Sequence, residues 1–395
     1  MNLLERNSQM KNMSLFSQIL QLIPKRTFEQ LVEKHNVEYR SKGFSSWDQF
    51  VSMLFLQFSQ ASSLREISYG LQSCEGKLSH LNIKAPKRST LSYANNNRDW
   101  KFYKDLFEVI LAQVKSSSKL KGHKFSFSNK LYSIDASTID LCLSVFDWAK
   151  YKTTKGAIKL HMRLDHNGYL PDFVHISDGK EHDVTAAWRF PFDKGSISVF
   201  DRGYNDYSLF KYIDEKGAFF VTRLKSNAKM TIVEKRILPS KADCDIILDS
   251  TIKLDKGAYT DELRLILVKD VEDREIKFLT NNMELSAETI SEIYRERWKI
   301  ELFFKEIKQN LKIKTFVGTS ENAVMTQVYT ALITILLLKY LKLKSEFKWS
   351  MSNLATLIRM NLFTHKNLWE WINAPYLLEN DVGNIEAKQM RMNFT

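Results

Sequence analysis

The sequence has only three cysteines, and they lie far apart in the chain. Cys74, Cys142 and Cys244 form no C-x-x-C pair, which argues against a disulfide framework and against a zinc site. A signal peptide is also lacking, since the N-terminus mixes Asn, Glu, Arg and Gln with its apolar residues. We therefore expect a cytoplasmic protein.

Long hydrophobic runs are scarce as well. Residues 323–341 form an apolar run that is long enough to span a bilayer, but threonines, a glutamine and a lysine interrupt it. We expect this run to be a buried core helix and the protein to have no membrane partner.

Positive charge is concentrated in the first third of the chain. Residues 1–130 contain 20 Lys and Arg against 10 Asp and Glu, so they contribute +10 of the net charge of +12. This asymmetry favours a polyanionic partner, of which nucleic acid is the commonest, although a membrane surface or mere solubility would also fit. The length of 395 residues predicts two or three domains.

The basic first third has helical spacing of its apolar residues. Two short helices are predicted at residues 63–72, which begin with a capping box, and 87–100, with Ser89 or Thr90 as the cap. The pair resembles a helix-turn-helix variant whose second helix contacts DNA, and the alternative is a plain face of a helical bundle. The candidate DNA-binding residues are Lys87, Arg88, Ser92, Tyr93 and Arg98.

From residue 131 the pattern changes to strands. Five strands are predicted, at about residues 131–143, 157–165, 169–177, 196–200 and 218–224, with helices from about residue 183 and over residues 206–215. The order βββαβαβ is that of a ribonuclease-H-like α/β core with a mixed five-stranded sheet. Residues 225–285 lack helical periodicity and are predicted to be a β-rich insertion.

These patterns predict the following organisation. An all-α DNA-binding domain covers residues 1–120. The first part of the core covers residues 121–224, the β insertion residues 225–285, and the second part of the core, with a catalytic helix, residues 286–365. A C-terminal tail covers residues 366–395.

One predicted helix carries a distinctive polar face. At 100° per residue, Tyr294, Arg297 and Lys308 all lie within about 40° of Glu301, beside an apolar stripe that includes Ile300. A carboxylate among phosphate-binding side chains indicates an active-site helix. The alternative is a solvated helix with an Arg297–Glu301 ion pair.

Two further acids occupy strand positions that point to the same cleft. Asp135 lies in the middle of the first predicted strand, and Asp201 ends the fourth. With Glu301 they would supply three hard oxygen ligands, which suit Mg²⁺ or Mn²⁺, and two such ions would lie about 3.5–4 Å apart. Taken singly, each acid has an alternative interpretation, Asp135 as the cap of a strand end and Asp201 as a turn residue.

The motifs resemble one family closely. DDE transposases of the IS-four type have the signature Tyr-x2-Arg-x3-Glu-x6-Lys, and Tyr294, Arg297, Glu301 and Lys308 match it at every spacing. The segments SIDAST, DGKEHD, VFDRGYND and FLTNN are also similar to that family. The resemblance implies that Asp135, Asp201 and Glu301 are the catalytic, metal-binding residues, with two Mg²⁺ or Mn²⁺ ions, and that Tyr294, Arg297 and Lys308 contact DNA phosphates.

The resemblance also implies a function. We expect a metal-dependent transposase that cleaves DNA at the terminal inverted repeats of an insertion sequence and joins the 3′ hydroxyls to target DNA. A homodimer on paired DNA ends, in the nucleoid of a prokaryotic cell, is expected. The alternatives are a nuclease of the same fold without strand transfer and a non-catalytic DNA-binding repressor.

Overall fold

The computed structural model describes residues 13–39, 41–117, 120, 122–142, 146–152, 155–237, 246–270 and 272–376. The helices that precede the first strand are α1 (Leu15–Leu20), α2 (Lys25–Lys34), α3 (Ser46–Ser59), α4 (Leu64–Ser73), α5 (Glu75–Leu78), α6 (Arg88–Asn97) and α7 (Lys101–Ser117). This confirms the predicted helical character of the N-terminal region.

Local side-chain chemistry sets the starts of several of these helices. Ser45 and Asp48 form a reciprocal capping box at α3, and the Ser63 hydroxyl accepts from the Glu66 N–H at α4. The predicted cap of α6 is wrong. Lys87 is its N-cap residue, and no side chain caps the helix, so its first N–H groups are left without a side-chain acceptor.

The strands are β1 (Leu131–Leu141), β2 (Lys150–Lys152), β3 (Lys155–Asp165), β4 (Leu170–Asp178), β5 (Ile197–Phe200), β6 (Phe219–Arg223), β7 (Met230–Lys235), β8 (Ile246–Leu254), β9 (Leu263–Lys269) and β10 (Glu275–Thr280). The remaining helices are α8 (Asp183–Ala187), α9 (Tyr207–Glu215), α10 (Ala287–Glu296), α11 (Trp298–Asn310), α12 (Glu321–Lys344), α13 (Met351–Met360) and α14 (Leu368–Asn373). The protein is thus a mixed α/β structure, and the predicted βββαβαβ order lies within it, with the short β2 added.

All ten strands belong to one sheet. Nine of its strands follow the order β2-β3-β1-β5-β6-β10-β9-β8-β7. The tenth, β4, lies outside this order and pairs with β3. Strands β1, β5 and β6 are parallel neighbours, whereas β10 pairs antiparallel with β6. The predicted five-stranded sheet is therefore not confirmed, because the strands predicted as an insertion continue the same sheet through β10.

The far end of the sheet is tied to the start of α10. Arg264 on β9 donates to both carboxylate oxygens of Asp249 on β8, at 2.9 and 2.7 Å, and both side chains are buried. The same guanidinium also donates to the Leu285 carbonyl, just before α10. This bidentate pair satisfies a buried charge and fixes the segment from which α10 begins.

Helix α12 lies at the centre of the largest hydrophobic core. It is long and apolar enough to cross a membrane, but 89% of its most apolar window is buried inside the protein. It packs against α3, α6, α7 and α13. The prediction of a buried core helix is confirmed, and one continuous hydrophobic cluster joins the N-terminal helices to α11 and to one face of the sheet.

The segment predicted as a C-terminal tail begins with ordered structure. Helix α14 buries Leu368, Trp371 and Ile372, and the Leu368 N–H donates to Gln18 of α1 at 2.9 Å. Residues 377–395 lie outside the described part of the chain.

A buried histidine beside β1 predicts a pH-dependent stability. Burial lowers the pKa of His166 to about 3, and its Nε2 lies 2.7 Å from the Ser133 hydroxyl. The unfolded chain therefore binds a proton at this histidine more readily than the folded protein does. The free energy of unfolding falls as the pH drops below about 6.5, by about 1.4 kcal/mol per pH unit. Urea unfolding between pH 7.5 and pH 5 should show this slope reduced in His166→Gln but kept in the exposed-site control His182→Gln.

Candidate active site

Asp135 is placed by the register of β1. It lies opposite Met162 of β3, and alternation turns its side chain away from its neighbour Ile134, towards α11. Burial raises the pKa of Asp135 to about 7, the N–H of Ala136 and the charge of Arg297 oppose the shift, and two nearby carboxylates reinforce it. Those carboxylates are Asp201 and Glu301. Asp201 and Glu301 are therefore both within electrostatic reach of Asp135.

Asp201 follows β5, the parallel neighbour of β1. Its Oδ1 accepts from the Gly203 N–H at 2.8 Å, which caps the short 3₁₀ turn Arg202–Tyr204. A Cβ on residue 203 would lie 2.9 Å from that oxygen, so glycine is needed for this close approach. Asp201 is thus also a turn residue, as the alternative interpretation had it.

The predicted single helix from Tyr294 to Lys308 is wrong, because it is divided at Arg297. The Arg297 N–H bonds to the Tyr294 carbonyl at 3.2 Å, and the Ile300 N–H bonds to the Arg297 carbonyl at 3.1 Å. These i to i−3 bonds interrupt the helical ladder between α10 and α11. Arg297 itself keeps helical dihedral angles, with φ −51° and ψ −34°, and the Tyr294 ring packs on Phe278 at 4.7 Å between centroids.

Arg297 links two of the acids. Its Nη2 donates to Glu301 Oε1 at 2.6 Å, and its Nη1 lies 3.3 Å from Asp135 Oδ2. The Arg297–Glu301 ion pair of the alternative interpretation is present, but Arg297 also bonds to Asp135, 162 residues away in the sequence. Burial lowers the pKa of Arg297, but the neighbouring acidic groups, Asp135 first among them, together outweigh burial and raise it overall. The guanidinium in turn compensates the negative charge of the carboxylates.

Lys308 lies at the other end of α11. Its Nζ donates to the Thr138 carbonyl of β1 at 2.9 Å. Burial and the charge of Lys314 lower its pKa, while Asp140 opposes the shift. Seven residues of helix separate Lys308 from Glu301, which is a distance of about 10 Å along the axis. Lys308 is thus positioned farther along the cleft than the acids.

The donor chemistry of the three acids fits a hard divalent cation. Carboxylate oxygens suit Mg²⁺ or Mn²⁺, and the raised pKa of Asp135 shows that additional positive charge would be stabilised there. As they stand, no three His, Cys, Asp or Glu side chains among the described residues are close enough to hold a metal ion, because Asp135 and Glu301 both turn to Arg297.

The candidate DNA-binding residues around α6 fall into two groups. Lys87, Arg88 and Tyr93 are exposed, and Ser92 is half-buried. Arg98 instead points inward, where it donates to the Ser45 carbonyl at 2.8 Å. It also bonds to Ser41, Phe44 and Gln49 and lies over the Phe44 ring. Arg98 therefore holds the loop of residues 41–45 against α6.

Two residues near the acids were missed from the sequence. Arg223 ends β6, its charge acts on Tyr294, and it makes no ion pair with any residue that the structure describes. Its position at the carboxyl end of a strand parallel to β5 was the available clue. Trp298 follows Arg297 in the chain and begins α11, and it is 56% exposed.

Two protein-family models match this chain. A family model described as the transposase DDE domain matches residues 127–337, which is more than half of the chain. The chain belongs to the DDE transposase family. The sequence-based resemblance to DDE transposases of insertion sequences is thereby confirmed, and membership of the family implies dependence on a divalent metal. A second model, described as a domain of unknown function (DUF4372), matches residues 11–84 of the helical region.

Individual relatives are named as transposases. A Sinorhizobium fredii protein (y4zB) is 32% identical over 260 residues, 65% of this chain and 71% of the relative. The transposase of element IS5377 of Geobacillus stearothermophilus is 28% identical over 60% of this chain and 63% of its own. The transposase of element IS4SA of Synechocystis is 25% identical over 65% of this chain and 72% of its own.

A solved structure of the piggyBac transposase synaptic complex with hairpin DNA is similar over 91% of this chain and 80% of that one. The identity is 10% and the TM-score is 0.44, which is too low to establish a common fold.

Proposed function

We propose that this transposase moves an insertion sequence by cutting DNA at terminal inverted repeats and joining the freed 3′ hydroxyls to target DNA. The observation that supports the proposal is that Asp201 and Glu301, from two other elements, both act on the pKa of Asp135 in a chain of the DDE family. A buried carboxyl group whose pKa is raised to about 7 beside two other acids is typical of a functional site.

Asp135, Asp201 and Glu301 are proposed as the residues that hold the metal, as two Mg²⁺ or Mn²⁺ ions. Bound ions would supply Lewis-acid activation of a water or hydroxyl nucleophile and stabilisation of the leaving 3′ oxygen. Arg297 forms ion pairs with Asp135 and Glu301, and its release from them would leave its guanidinium available to a DNA phosphate.

Tyr294, Arg297 and Lys308 are proposed to contact phosphates near the cleaved end. Lys308 supplies a point charge about 10 Å along α11 from Glu301, and Tyr294 supplies a hydroxyl beside Arg297. Arg223, without an acidic partner among the described residues, extends this set on the side of Tyr294. Trp298 offers an exposed ring on which a base can stack.

The N-terminal helices are proposed to bind the DNA end through α6. Lys87, Arg88, Ser92 and Tyr93 lie on its surface, where the basic charge of the first third of the chain is concentrated. Arg98, the fifth candidate, acts by holding the loop of residues 41–45 in place, so its contribution to binding would be indirect.

We propose a ribonuclease-H-like core within the larger sheet. The supporting order is β4-β3-β1-β5-β6, with the first three strands antiparallel and the last three parallel. The domain boundaries at residues 120, 224, 285 and 365 remain our proposal, as does a homodimer that pairs two DNA ends before joining.

The function is tested with the DNA that flanks the coding region. Inverted repeats on either side of the coding region would be the substrate. A plasmid with these repeats should release the segment between them when purified protein and Mg²⁺ are added. Release followed by insertion into a second plasmid supports transposition. Nicking without joined product would identify a nuclease, and binding without cleavage would identify a repressor.

Separate roles are expected for two signature residues. Lys308→Ala should weaken binding of an end duplex and reduce the slope of log affinity against log salt by about 0.9, because one phosphate contact is lost. Glu301→Ala should keep the affinity and slope but lose cleavage. Fluorescence anisotropy at several salt concentrations measures both, and equal loss of binding in the two variants would refute the division.

Two arginines of the α6 region should behave in opposite ways. Arg88→Ala should lower the affinity for the end duplex without changing the unfolding temperature, because Arg88 is exposed. Arg98→Ala should lower the free energy of unfolding by about 2 kcal/mol, because it removes the four side-chain hydrogen bonds by which Arg98 holds Ser41, Phe44, Ser45 and Gln49. Chemical denaturation beside the binding assay distinguishes them, and an Arg98→Ala variant of normal stability would contradict this assignment.

A further inference from the structure

Two cavities adjoin along one side of α6. The first has a volume of about 440 Å³ and lies between α6 and the turn that follows α2. The second has a volume of about 610 Å³ and lies between α6 and the segment of residues 82–86. Lys42, Phe44 and Thr90 line both cavities, so the two form one continuous groove, which we call the α6 groove.

One end of the α6 groove is aromatic. Tyr39 and Tyr93 both line the first cavity, and they are 66% and 71% exposed. The N–H of Tyr39 bonds to the Asn36 carbonyl at 3.1 Å, which fixes the turn that carries this ring. Tyr93 lies on the same side of α6 as Thr90 and Asn97, which also line the cavity at spacings of three and four residues. Two large rings left in solvent at one cavity indicate a binding surface.

The other end of the α6 groove is basic. Lys42, Lys84 and Lys87 line the second cavity, are exposed, and form no ion pair with any residue that the structure describes. Two acids also line the groove, but Asp48 belongs to the capping box of α3, and Asp99 accepts from a backbone N–H at 2.9 Å. This end therefore favours a negatively charged ligand, in the most basic third of the chain.

The α6 groove is held in shape by contacts within the protein. Arg98 donates to the Ser45 carbonyl at 2.8 Å and lies 5.4 Å from the centroid of the Phe44 ring, which belongs to the wall shared by the two cavities. These contacts fix the loop of residues 41–45 against α6. A groove that is formed in advance loses little conformational freedom when a ligand binds.

Lysines and tyrosines along one groove suit an unpaired nucleic-acid strand. Basic side chains follow the phosphates of such a strand, and aromatic rings stack on the faces of its bases. In a double helix those faces are stacked on one another, so a protein reaches only the backbone and the base edges. Arg88 and Ser92 lie at least about 100° around α6 from Tyr93, outside the groove, where a duplex has access to them.

We propose that the α6 groove binds an unpaired DNA strand of a few nucleotides, with its bases on the two tyrosines and its phosphates on the three lysines. This inference rests on the proposed function, in which the N-terminal helices bind the DNA end, and it names the form of DNA that one side of α6 takes. The side of α6 outside the groove remains for the duplex. A DNA end whose last base pairs are open contacts both sides of α6 at once.

The chain supplies a matched control for the two tyrosines. Tyr69 on α4 is 67% exposed, which is close to the values for Tyr39 and Tyr93, and it lines neither cavity. Because all three side chains are exposed, replacing each by alanine should leave the unfolding temperature unchanged. Phenylalanine variants keep the ring and remove only the hydroxyl, so they distinguish stacking from hydrogen bonding.

The test measures binding of a fluorescein-labelled oligothymidine of about 12 nucleotides to the full-length protein in EDTA, by fluorescence anisotropy. Tyr39→Ala and Tyr93→Ala should each weaken binding by at least about 10-fold, because each removes the ring on which one base stacks. Tyr39→Phe, Tyr93→Phe and Tyr69→Ala should bind like the wild type. Wild-type affinity in either of the first two variants would overturn the inference.

The lysines are tested by the salt dependence of the same binding. Replacing Lys42, Lys84 and Lys87 together by alanine should reduce the slope of log affinity against log salt by about 2, because about 0.7 is lost for each phosphate contact of a single strand. An unchanged slope would overturn the inference.

A comparison of two probes separates this inference from the proposed function. Tyr39→Ala should bind a blunt end duplex with near wild-type affinity, whereas Arg88→Ala should lose affinity for the duplex and keep it for the oligothymidine. If the protein binds neither probe, the proposed DNA binding by the N-terminal helices fails, and the inference fails with it. If duplex binding depends on Arg88 but oligothymidine binding does not depend on Tyr39, only the inference fails.

Discussion

The Asp135→Asn variant should lose DNA cleavage by at least about 1000-fold and yet should be more stable than the wild type in the absence of metal. The loss follows from removing one carboxylate of a metal site that supplies several kcal/mol of transition-state stabilisation. The gain follows from burial, which raises the pKa of Asp135 to about 7 and makes its charged form costly. Activity and stability should therefore change in opposite directions.

The sign of the stability change depends on pH. A carboxyl group whose pKa is higher in the folded than in the unfolded protein does not destabilise the fold below about pH 4, where it is protonated in both states. Its full destabilising effect on the free energy of unfolding is reached above about pH 7, where it is ionised in both states. The shift corresponds to at most about 4 kcal/mol, and the lost contact with Arg297 reduces the expected gain to about 1–3 kcal/mol at pH 8. Urea unfolding in EDTA measures it. A variant that is less stable than the wild type at pH 8 would show that Asp135 is a structural residue.

Arg297→Ala should have the opposite effect on stability. Removing the guanidinium leaves Asp135 and Glu301 close together without a positive partner, which should lower the free energy of unfolding by about 3 kcal/mol in EDTA at pH 8. Cleavage should fall by at least about 100-fold, because the variant also loses the proposed fork to a DNA phosphate. Mn²⁺ should restore part of the stability, because it brings positive charge to the acids.

Arg295→Ala is the matched control for Arg297. Arg295 is exposed on α10 two residues earlier, so its loss should change neither stability nor cleavage. Combining Arg297→Ala with Asp135→Asn should recover stability, because the neutral amide no longer needs the guanidinium. If Arg297→Ala is as stable as Arg295→Ala, then the contacts with Asp135 and Glu301 contribute nothing to the fold.

Much of the fold was accessible from local patterns. The strands around Asp135 and Asp201 alternate or are continuously apolar, and their ends fall within a few residues of the predicted positions. The run at residues 323–341 had enough polar residues to indicate a core helix, and it packs among other helices. The chemistry of the site was also accessible, because acids and phosphate-binding residues stood at fixed spacings.

What the sequence did not reveal depends on contacts between distant segments. The pairing of β10 with β6 joins residues more than 50 positions apart, and no local pattern indicates that the insertion strands extend the sheet. The break at Arg297 occurs in a run with good helical periodicity, where the side chain bonds to Asp135 on β1. Arg98 likewise looked like a DNA ligand because charge alone does not show which side chain turns inward.

The central claim is that Asp135, Asp201 and Glu301 act together as one metal-dependent site for DNA breakage and joining. Its most direct test is an assay with pre-cut duplexes that end in the terminal repeat, a supercoiled target plasmid and Mg²⁺. The wild type should join 3′ ends to the plasmid, EDTA should abolish joining, and Asp135→Asn, Asp201→Asn and Glu301→Gln should each bind the duplex with wild-type affinity but yield no joined product. Joined product at near wild-type level from any one of the three variants would contradict the account.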